Sequence, residues 1–94
     1  MSEDTKLGEL AELLSSRARL KILILLFKEG QMNITQIVRR TGLNYPTVRR
    51  HLEYLKSKGI VEEIVAERAR IYSLRIENPR TAALMEIVSS LEGF

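Results

Sequence analysis

Apolar residues recur along the first two thirds of the chain at the three- and four-residue spacing of amphipathic helices. One stripe covers about residues 5–14, and a denser one at about 17–29 predicts the most buried helix of the chain. Asn33 and Gln36 have the spacing of a capping box, which predicts that a third, short helix begins here. Gly42 supplies the tight turn that ends this helix.

A fourth helix is predicted over about residues 44–58, and its apolar side chains fall on one face only. Val48, Leu52 and Leu55 are spaced i, i+4 and i+7, so they can anchor this face to a core. Asn44 is a suitable N-cap because its side chain can accept a hydrogen bond from a free amide of the first turn. The opposite face is therefore left open to another molecule.

Two segments rich in isoleucine and valine follow at residues 60–66 and 71–76, with a polar connection of Glu67–Arg70 between them. This pattern predicts a two-stranded β-hairpin with a basic tip. An asparagine followed by a proline then predicts the start of a last helix, expected over about residues 79–92.

Helix, turn, helix and hairpin in this order outline a winged helix-turn-helix, a mainly α fold with a small β-hairpin (α+β). The length of 94 residues suits a single domain over residues 1–94. In this fold the helix at about 44–58 is the recognition helix, and residues of about 60–76 form the wing. The terminal helices, at about 5–14 and 79–92, are then available for dimerisation.

The formal net charge of +3 is unevenly distributed along the chain. Residues 36–59 carry six basic side chains and one acidic one, a net charge of +5, and the rest of the chain sums to −2. A basic centre matches a surface that binds phosphate, because counterion release drives much of the affinity for nucleic acid. The alternative is an ordinary solvated charged face.

The outward face of the recognition helix and the wing supply candidate DNA-binding side chains. The amino-terminal part of such a helix enters the major groove first, so an arginine there can hold guanine in a fork. Side chains nearer the carboxyl end lie towards the phosphates, and the basic wing suits a minor groove, with a solvated hairpin tip as the alternative. The predicted DNA-binding residues are Asn44, Tyr45, Thr47, Arg49, Arg50, Tyr54, Lys56, Arg68 and Arg70.

The last helix carries an apolar stripe that a domain of this size is not expected to cover fully. Together with the first helix, it predicts the interface of a homodimer. The predicted interface residues are Leu7, Leu10, Leu84, Ile87, Val88 and Leu91. The alternative is that the last helix packs back on its own subunit, because periodicity does not distinguish an inner face from an interface.

Several classes of function are not expected from the composition. The chain has no cysteine and one histidine, His51, so neither a metal nor a cofactor is expected. His51 is expected at the edge of the core, donating to a backbone carbonyl, and no catalytic residue is assigned, so the protein is not expected to be an enzyme. The longest apolar run, Ile22–Phe27, is too short to span a bilayer. We therefore expect a soluble, cytoplasmic, nucleoid-associated protein that does not bind membranes.

Four segments, residues 13–23, 34–38, 45–55 and 59–61, together resemble the ArsR-type (MarR/ArsR-like) winged-helix transcriptional regulators. The resemblance lies in their combination: a leucine-serine start, an arginine-leucine-x-isoleucine-leucine helix, and a recognition helix with Pro-Thr-Val-Arg-Arg-His-Leu that closes on glycine, an apolar residue and valine. The resemblance covers about residues 7–76. It implies a dimeric repressor on an inverted-repeat operator, with terminal helices forming the dimer and recognition helices in successive major grooves.

The sequence departs from the members of this family that sense metals. Those members place cysteines on the recognition helix, or acidic and histidine ligands on the last helix. This chain has Asn44, Tyr45 and Arg49 in the recognition helix, and its last helix offers Glu86 and Glu92 without a histidine. Metal sensing is therefore not expected.

Three hypotheses about function remain open. The first is a sequence-specific regulator that binds double-stranded DNA as a homodimer and acts as a repressor. The second is a winged-helix interaction module within a larger assembly, which would tolerate exposed apolar groups on its recognition face. The third is a chromatin-like protein that coats DNA without sequence preference. The net charge of +5 around the motif favours DNA as the partner.

Overall fold

The computed structural model describes the backbone of residues 3–92 and the side chains of residues 8, 9 and 11–90. In chain order the described elements are α1 (Glu3–Leu14), α2 (Arg17–Glu29), β1 (Gln31–Asn33), α3 (Ile34–Thr41), α4 (Tyr45–Ser57), β2 (Val61–Ala66), β3 (Ala69–Leu74) and α5 (Pro79–Glu92). The predicted class, mainly α with a small β-hairpin, is confirmed. Within the described part of the chain, no helix has the length and apolar character needed to cross a membrane.

The predicted caps fix the ends of the central helices. The side chain of Asn33 accepts from the Gln36 amide at 2.8 Å, and the Asn33 amide donates to the Gln36 side chain at 2.9 Å. This reciprocal pair starts α3, as the capping-box pattern predicts. Gly42 ends α3 with φ 75°, a left-handed conformation that glycine adopts without strain. The chain is thereby turned into α4 within three residues, Gly42–Asn44.

The sheet has three antiparallel strands in the order β1-β3-β2, so the prediction of a two-stranded hairpin was incomplete. The missed strand β1 pairs with β3 over three residues, with Met32 opposite Tyr72. Three residues are too few to show an alternating pattern, because strands are recognised from sequence over four or more positions. The extra strand covers only the inner half of the hairpin, since β1 reaches no farther along β3 than Ile71.

The turn of the hairpin is shorter than the sequence predicted. The polar connection was expected to be Glu67–Arg70, but β3 already begins at Ala69, which pairs with Ala66. The turn thus consists of Glu67 and Arg68, and Glu67 takes the positive φ of 54°. Polarity suggested a loop there, whereas the strand pairing extends to the tip and places Arg70 within β3.

A continuous apolar core joins all five helices to the sheet. The buried apolar residues are Leu13, Ile22, Leu23, Leu26, Met32, Ile37, Val48, Leu52, Leu55, Ile60, Val61, Tyr72 and Leu84. The amino end of α5 is tied to this core, because the Asn78 side-chain amide donates to the Gly59 carbonyl at 2.8 Å. Thr81 is fully buried, and its hydroxyl donates to the Ile60 carbonyl at 3.4 Å. These two bonds fix the start of α5 to the segment that directly follows α4.

Candidate nucleic-acid interface

Helix α4 has one buried face and one exposed face. Val48, Leu52 and Leu55 have no exposed surface, as expected from their helical spacing. The Asn44 side chain accepts from the Thr47 amide at 2.9 Å, so the first turn of α4 is fixed by the predicted cap. Because the inner face is held so completely, the outer face has a defined orientation.

The structure places the candidate base-reading side chains together at the amino-terminal half of α4. Arg49 and Arg50 are exposed, and Tyr45 is exposed over 47% of its surface. Thr47 is half-buried, while Asn44 is exposed but uses its side-chain oxygen for the cap. Two exposed arginines, with a tyrosine and a threonine on the same turns of the helix, provide groups that can donate to guanine edges and to phosphate.

The predicted phosphate contacts Lys56 and Arg70 lie in an ion-pair cluster around Glu63. Lys56 Nζ is 2.8 Å from Glu63 Oε1, and Arg70 Nη1 is 3.0 Å from Glu63 Oε2. The Tyr72 hydroxyl donates to Glu63 Oε2 at 2.8 Å, and Lys56 also lies 3.6 Å from Glu53 Oε2. The side chain of Glu63 is only 8% exposed, whereas those of Lys56 and Arg70 are 38% and 49% exposed.

These contacts shift the pKa values of the cluster. Hydrogen bonds from Lys56, Arg70 and Tyr72 lower the pKa of Glu63 to about 2. The same bond to Glu63 raises the pKa of Lys56 and is the main reason that the pKa of Arg70 is raised. Burial, followed by the bond to Glu63, raises the pKa of the Tyr72 phenol. Glu63 is therefore ionised throughout the neutral and mildly acidic range.

We expect the Glu63 cluster to make stability depend on pH in a defined window. Its carboxyl has an ordinary pKa of 4.5 when unpaired and about 2 in the folded protein, so its contribution is complete above pH 4.5. The contribution is lost progressively as the pH falls towards 2. Glu63→Gln is expected to lower the free energy of unfolding at pH 6 by about 1 kcal/mol, because the exposed ion pairs are weak individually. Urea titrations at pH 6 and pH 3 give the free energy of unfolding at each pH. Its decrease from pH 6 to pH 3 should be smaller for Glu63→Gln than for the wild type, and equal decreases would contradict the assignment.

Sequence reasoning missed Glu63, although a signal for it exists. Val61 is buried, and alternation along β2 places Glu63 on the same face two residues later. A carboxylate on the inner face of a strand requires hydrogen-bond donors, because an unpaired buried charge is strongly unfavourable. The donors come from α4 and β3, and the sequence alone does not show which side chains these are.

Tyr54 packs against cations of its own chain. The guanidinium of Arg19 lies over the Tyr54 ring at 3.9 Å from the centroid, and Lys58 Nζ is 5.6 Å from it. Arg19 is buried and also donates to the Glu12 carbonyl. Its sequence position gives a signal, since Arg19 shares the i, i+3, i+4 and i+7 stripe of α2 with buried apolar residues. Tyr54 thus joins α4 to α2 through its contact with Arg19. Its contact with phosphate stays a prediction.

His51 lies at the edge of the core with 8% of its surface exposed, as expected. The expected bond to a carbonyl is not found at Nδ1, which is buried and has no hydrogen-bond partner among the described residues. Burial, and then the charges of Arg19 and Arg50, lower the pKa of the imidazole. The ring is therefore mostly neutral near pH 7, and it acts as a packing group at the edge of the core.

The predicted dimer residues are divided between the core and an open groove. Leu84 is 4% exposed and belongs to the core of its own subunit, whereas Ile87 is 40% exposed and Val88 is half-buried. Leu7, Leu10 and Leu91 lie outside the described side chains. The groove has a volume of about 400 Å³ and is lined by Leu14, Leu20, Leu23, Ile24, Leu84, Ile87 and Val88. Both alternatives for α5 thus have support: one edge packs inward, and the other faces an apolar groove.

No group of three histidine, cysteine, aspartate or glutamate side chains that could hold a metal ion occurs within the described residues. The acidic side chain of α5 that the structure describes, Glu86, is exposed. Glu53 and Glu63 both contact Lys56 Nζ, at 3.6 Å and 2.8 Å. The Glu53 pair lies within α4, and the Glu63 pair joins β2 to α4.

The region just described is similar in sequence to a known protein family. The family described as bacterial regulatory protein, arsR family, matches residues 16–63, from the cap of α2 to the middle of β2. A comparison with curated protein sequences gives no match. The matched region contains the whole helix-turn-helix and Glu63 at its end.

Solved structures of similar fold cover nearly the whole chain. The homodimeric winged helix-turn-helix DNA-binding domain of a possible ArsR-family transcriptional regulator from Mycobacterium bovis is 27% identical, with a TM-score of 0.74 over 95% of this chain and 80% of that one. The AntR antimony-specific transcriptional repressor is 20% identical, with a TM-score of 0.78 over 97% of this chain and 80% of that one. Reduced HlyU from Vibrio cholerae is 21% identical, with a TM-score of 0.78 over 95% and 90%. The predicted winged helix-turn-helix is confirmed.

Proposed function

Because the chain belongs to the ArsR family of bacterial regulatory proteins, we propose that it is a sequence-specific double-stranded DNA-binding regulator that acts as a dimeric repressor. The observation that carries the proposal is the exposed pair Arg49 and Arg50 on a helix whose other face is completely buried. Such a helix can enter a major groove as a rigid unit, and its guanidinium groups can read guanine. The family and fold are those of transcriptional regulators and not of enzymes.

The dimer and the repressor role rest on three further observations. The Mycobacterium bovis domain of the same fold is described as homodimeric, and AntR is described as a repressor. In this chain, the apolar groove beside Ile87 offers a surface of the kind that a second copy covers. A two-fold dimer places two recognition helices on half-sites about one helical turn apart.

We propose that the remaining contacts serve affinity and register. Lys56 and Tyr54 would lie towards the phosphates at the carboxyl end of α4, and Arg68, exposed in the turn of the hairpin, would reach the neighbouring groove. Arg70 is next to that turn and keeps half of its side chain exposed. These residues add affinity with little sequence choice.

Selection of bound fragments from random duplexes, followed by a salt titration, tests the proposed function. We expect a recovered motif with two related half-sites spaced by about one helical turn. Affinity for that duplex should fall by roughly 10³-fold between 50 and 200 mM salt, because several phosphate contacts per dimer release counterions. Salt-dependent binding with no recovered motif would indicate a non-specific DNA-coating protein. Absence of duplex binding would favour the interaction module, and either outcome would reject the proposal.

A further inference from the structure

The outer half of the wing has little support of its own. Strand β1 pairs with β3 only at Ile71, Tyr72 and Ser73, so the hairpin beyond Ile71 consists of two strands. Val65 on this part is 63% exposed, and Ile64, opposite Ile71 at its inner limit, is 45% exposed, so no other described layer covers them. A two-stranded hairpin without a packed face is at best marginally stable in water. Something else has to hold the wing at a defined angle.

Glu63 lies where such a support is needed. It pairs with Tyr72 of β3, one residue before Ile71, and Ile71 is the last position at which all three strands lie side by side. Its carboxylate accepts from Arg70 in the outer part of β3 and from Lys56 in the recognition helix. One nearly buried carboxylate therefore joins Lys56 of the recognition helix to Tyr72 and Arg70 of β3.

We propose that Glu63 is a positioning residue that holds the wing at a fixed distance from the recognition helix, so that both meet DNA in one register. This inference rests on the proposed function and adds to it the group that sets wing geometry. The bonds to Glu63 leave Lys56 and Arg70 free to touch phosphate as well. Lysine has three N–H donors and arginine has five, and both side chains keep more than a third of their surface exposed.

The effect of Glu63→Gln on DNA affinity distinguishes a positioning role from a simple effect of charge, because the two predict changes in opposite directions. If the carboxylate merely neutralised Lys56 and Arg70, Glu63→Gln would add positive charge and strengthen DNA binding. If it positions the wing, the same change weakens binding to the selected duplex. The substituted amide keeps the size of the side chain and an oxygen for Tyr72, so the change removes the ion pairs and little else.

We expect Glu63→Gln to weaken binding to the selected duplex about tenfold while binding to a scrambled duplex of equal length stays unchanged or rises slightly. Glu62→Gln is the matched control, because it makes the same change of charge on the adjacent residue, whose carboxylate accepts from Ser73 on the same strands. Fluorescence anisotropy with both duplexes measures the ratio. If Glu63→Gln binds the selected duplex as tightly as Glu62→Gln does, the proposal is overturned.

A measurement on the free protein tests the positioning role of Glu63 independently of DNA binding. We expect the amide order parameters of Glu67 and Arg68 to fall from rigid values near 0.85 towards 0.6 in Glu63→Gln and to stay unchanged in Glu62→Gln. If Glu63→Gln does not fold, Arg70→Gln breaks the same link at an exposed residue and is expected to give the same loss of order. Unchanged order parameters in the folded variant overturn the positioning role of Glu63. A wild type that prefers no duplex rejects the proposed function, and the order-parameter test of Glu63 still applies.

Discussion

Replacing Arg49 and Arg50 together with alanine is expected to abolish sequence preference while the fold is retained. Both side chains are exposed, and the core beneath them does not depend on them. Each arginine that holds a guanine contributes about 1–3 kcal/mol of discrimination, so loss of both should lower affinity for the selected duplex by at least roughly 30-fold per half-site. Binding isotherms with selected and scrambled duplexes should become nearly equal.

The matched control for this double variant removes two arginines elsewhere. Arg17 at the start of α2 and Arg75 beyond β3 are both exposed and lie outside the predicted interface, and Arg75 is paired with Glu77 in solvent. Arg17→Ala with Arg75→Ala therefore makes the same change in net charge, with little effect on stability. We expect this control to keep its preference for the selected duplex. Equal losses in the two double variants would show that total charge, and not the face of α4, determines binding.

Ile87→Glu is expected to convert the proposed dimer into a folded monomer. Ile87 is 40% exposed in the subunit and lines the apolar groove, so a glutamate is tolerated in a monomer but would be buried twice in a two-fold interface. Burying those charges should raise the dimer dissociation constant by roughly 100-fold, about 2.7 kcal/mol. Sedimentation at micromolar concentration would show one subunit of 10.8 kDa instead of two. Operator affinity should fall with it, since each half-site then binds alone.

The choice of residue matters for the dimer test. A charge at Leu84 would enter the core of the subunit and unfold it, so loss of the dimer there would say nothing about an interface. Ser89 is exposed and lies about 200° around the helix from Ile87, which makes Ser89→Glu the control of equal charge. A dimer that survives Ile87→Glu as well as Ser89→Glu would place the interface elsewhere.

Local patterns were sufficient for the helix-turn-helix itself. Asn33 and Asn44 cap their helices as their positions predicted, and Val48, Leu52 and Leu55 are buried as their spacing predicted. Caps and helical stripes involve residues within one or two turns of each other, so the chain order contains all the information that they require. The resemblance to ArsR-type regulators rests on the same segment and is confirmed by the family match.

Contacts between distant segments could be established only from the tertiary structure. Pairing of β1 with β3 joins Met32 to Tyr72, and the cluster at Glu63 joins Lys56 of the recognition helix to Arg70 of the wing. A sequence shows that a strand has an acidic residue on its inner face, but it does not show which donors the fold brings there. The sequence thus determined which residues face outward on the recognition helix, and the packing of non-adjacent elements decided which of the basic residues are tied to a carboxylate. The physical reason is that capping and periodicity act along the chain, whereas ion pairing depends on distances through space.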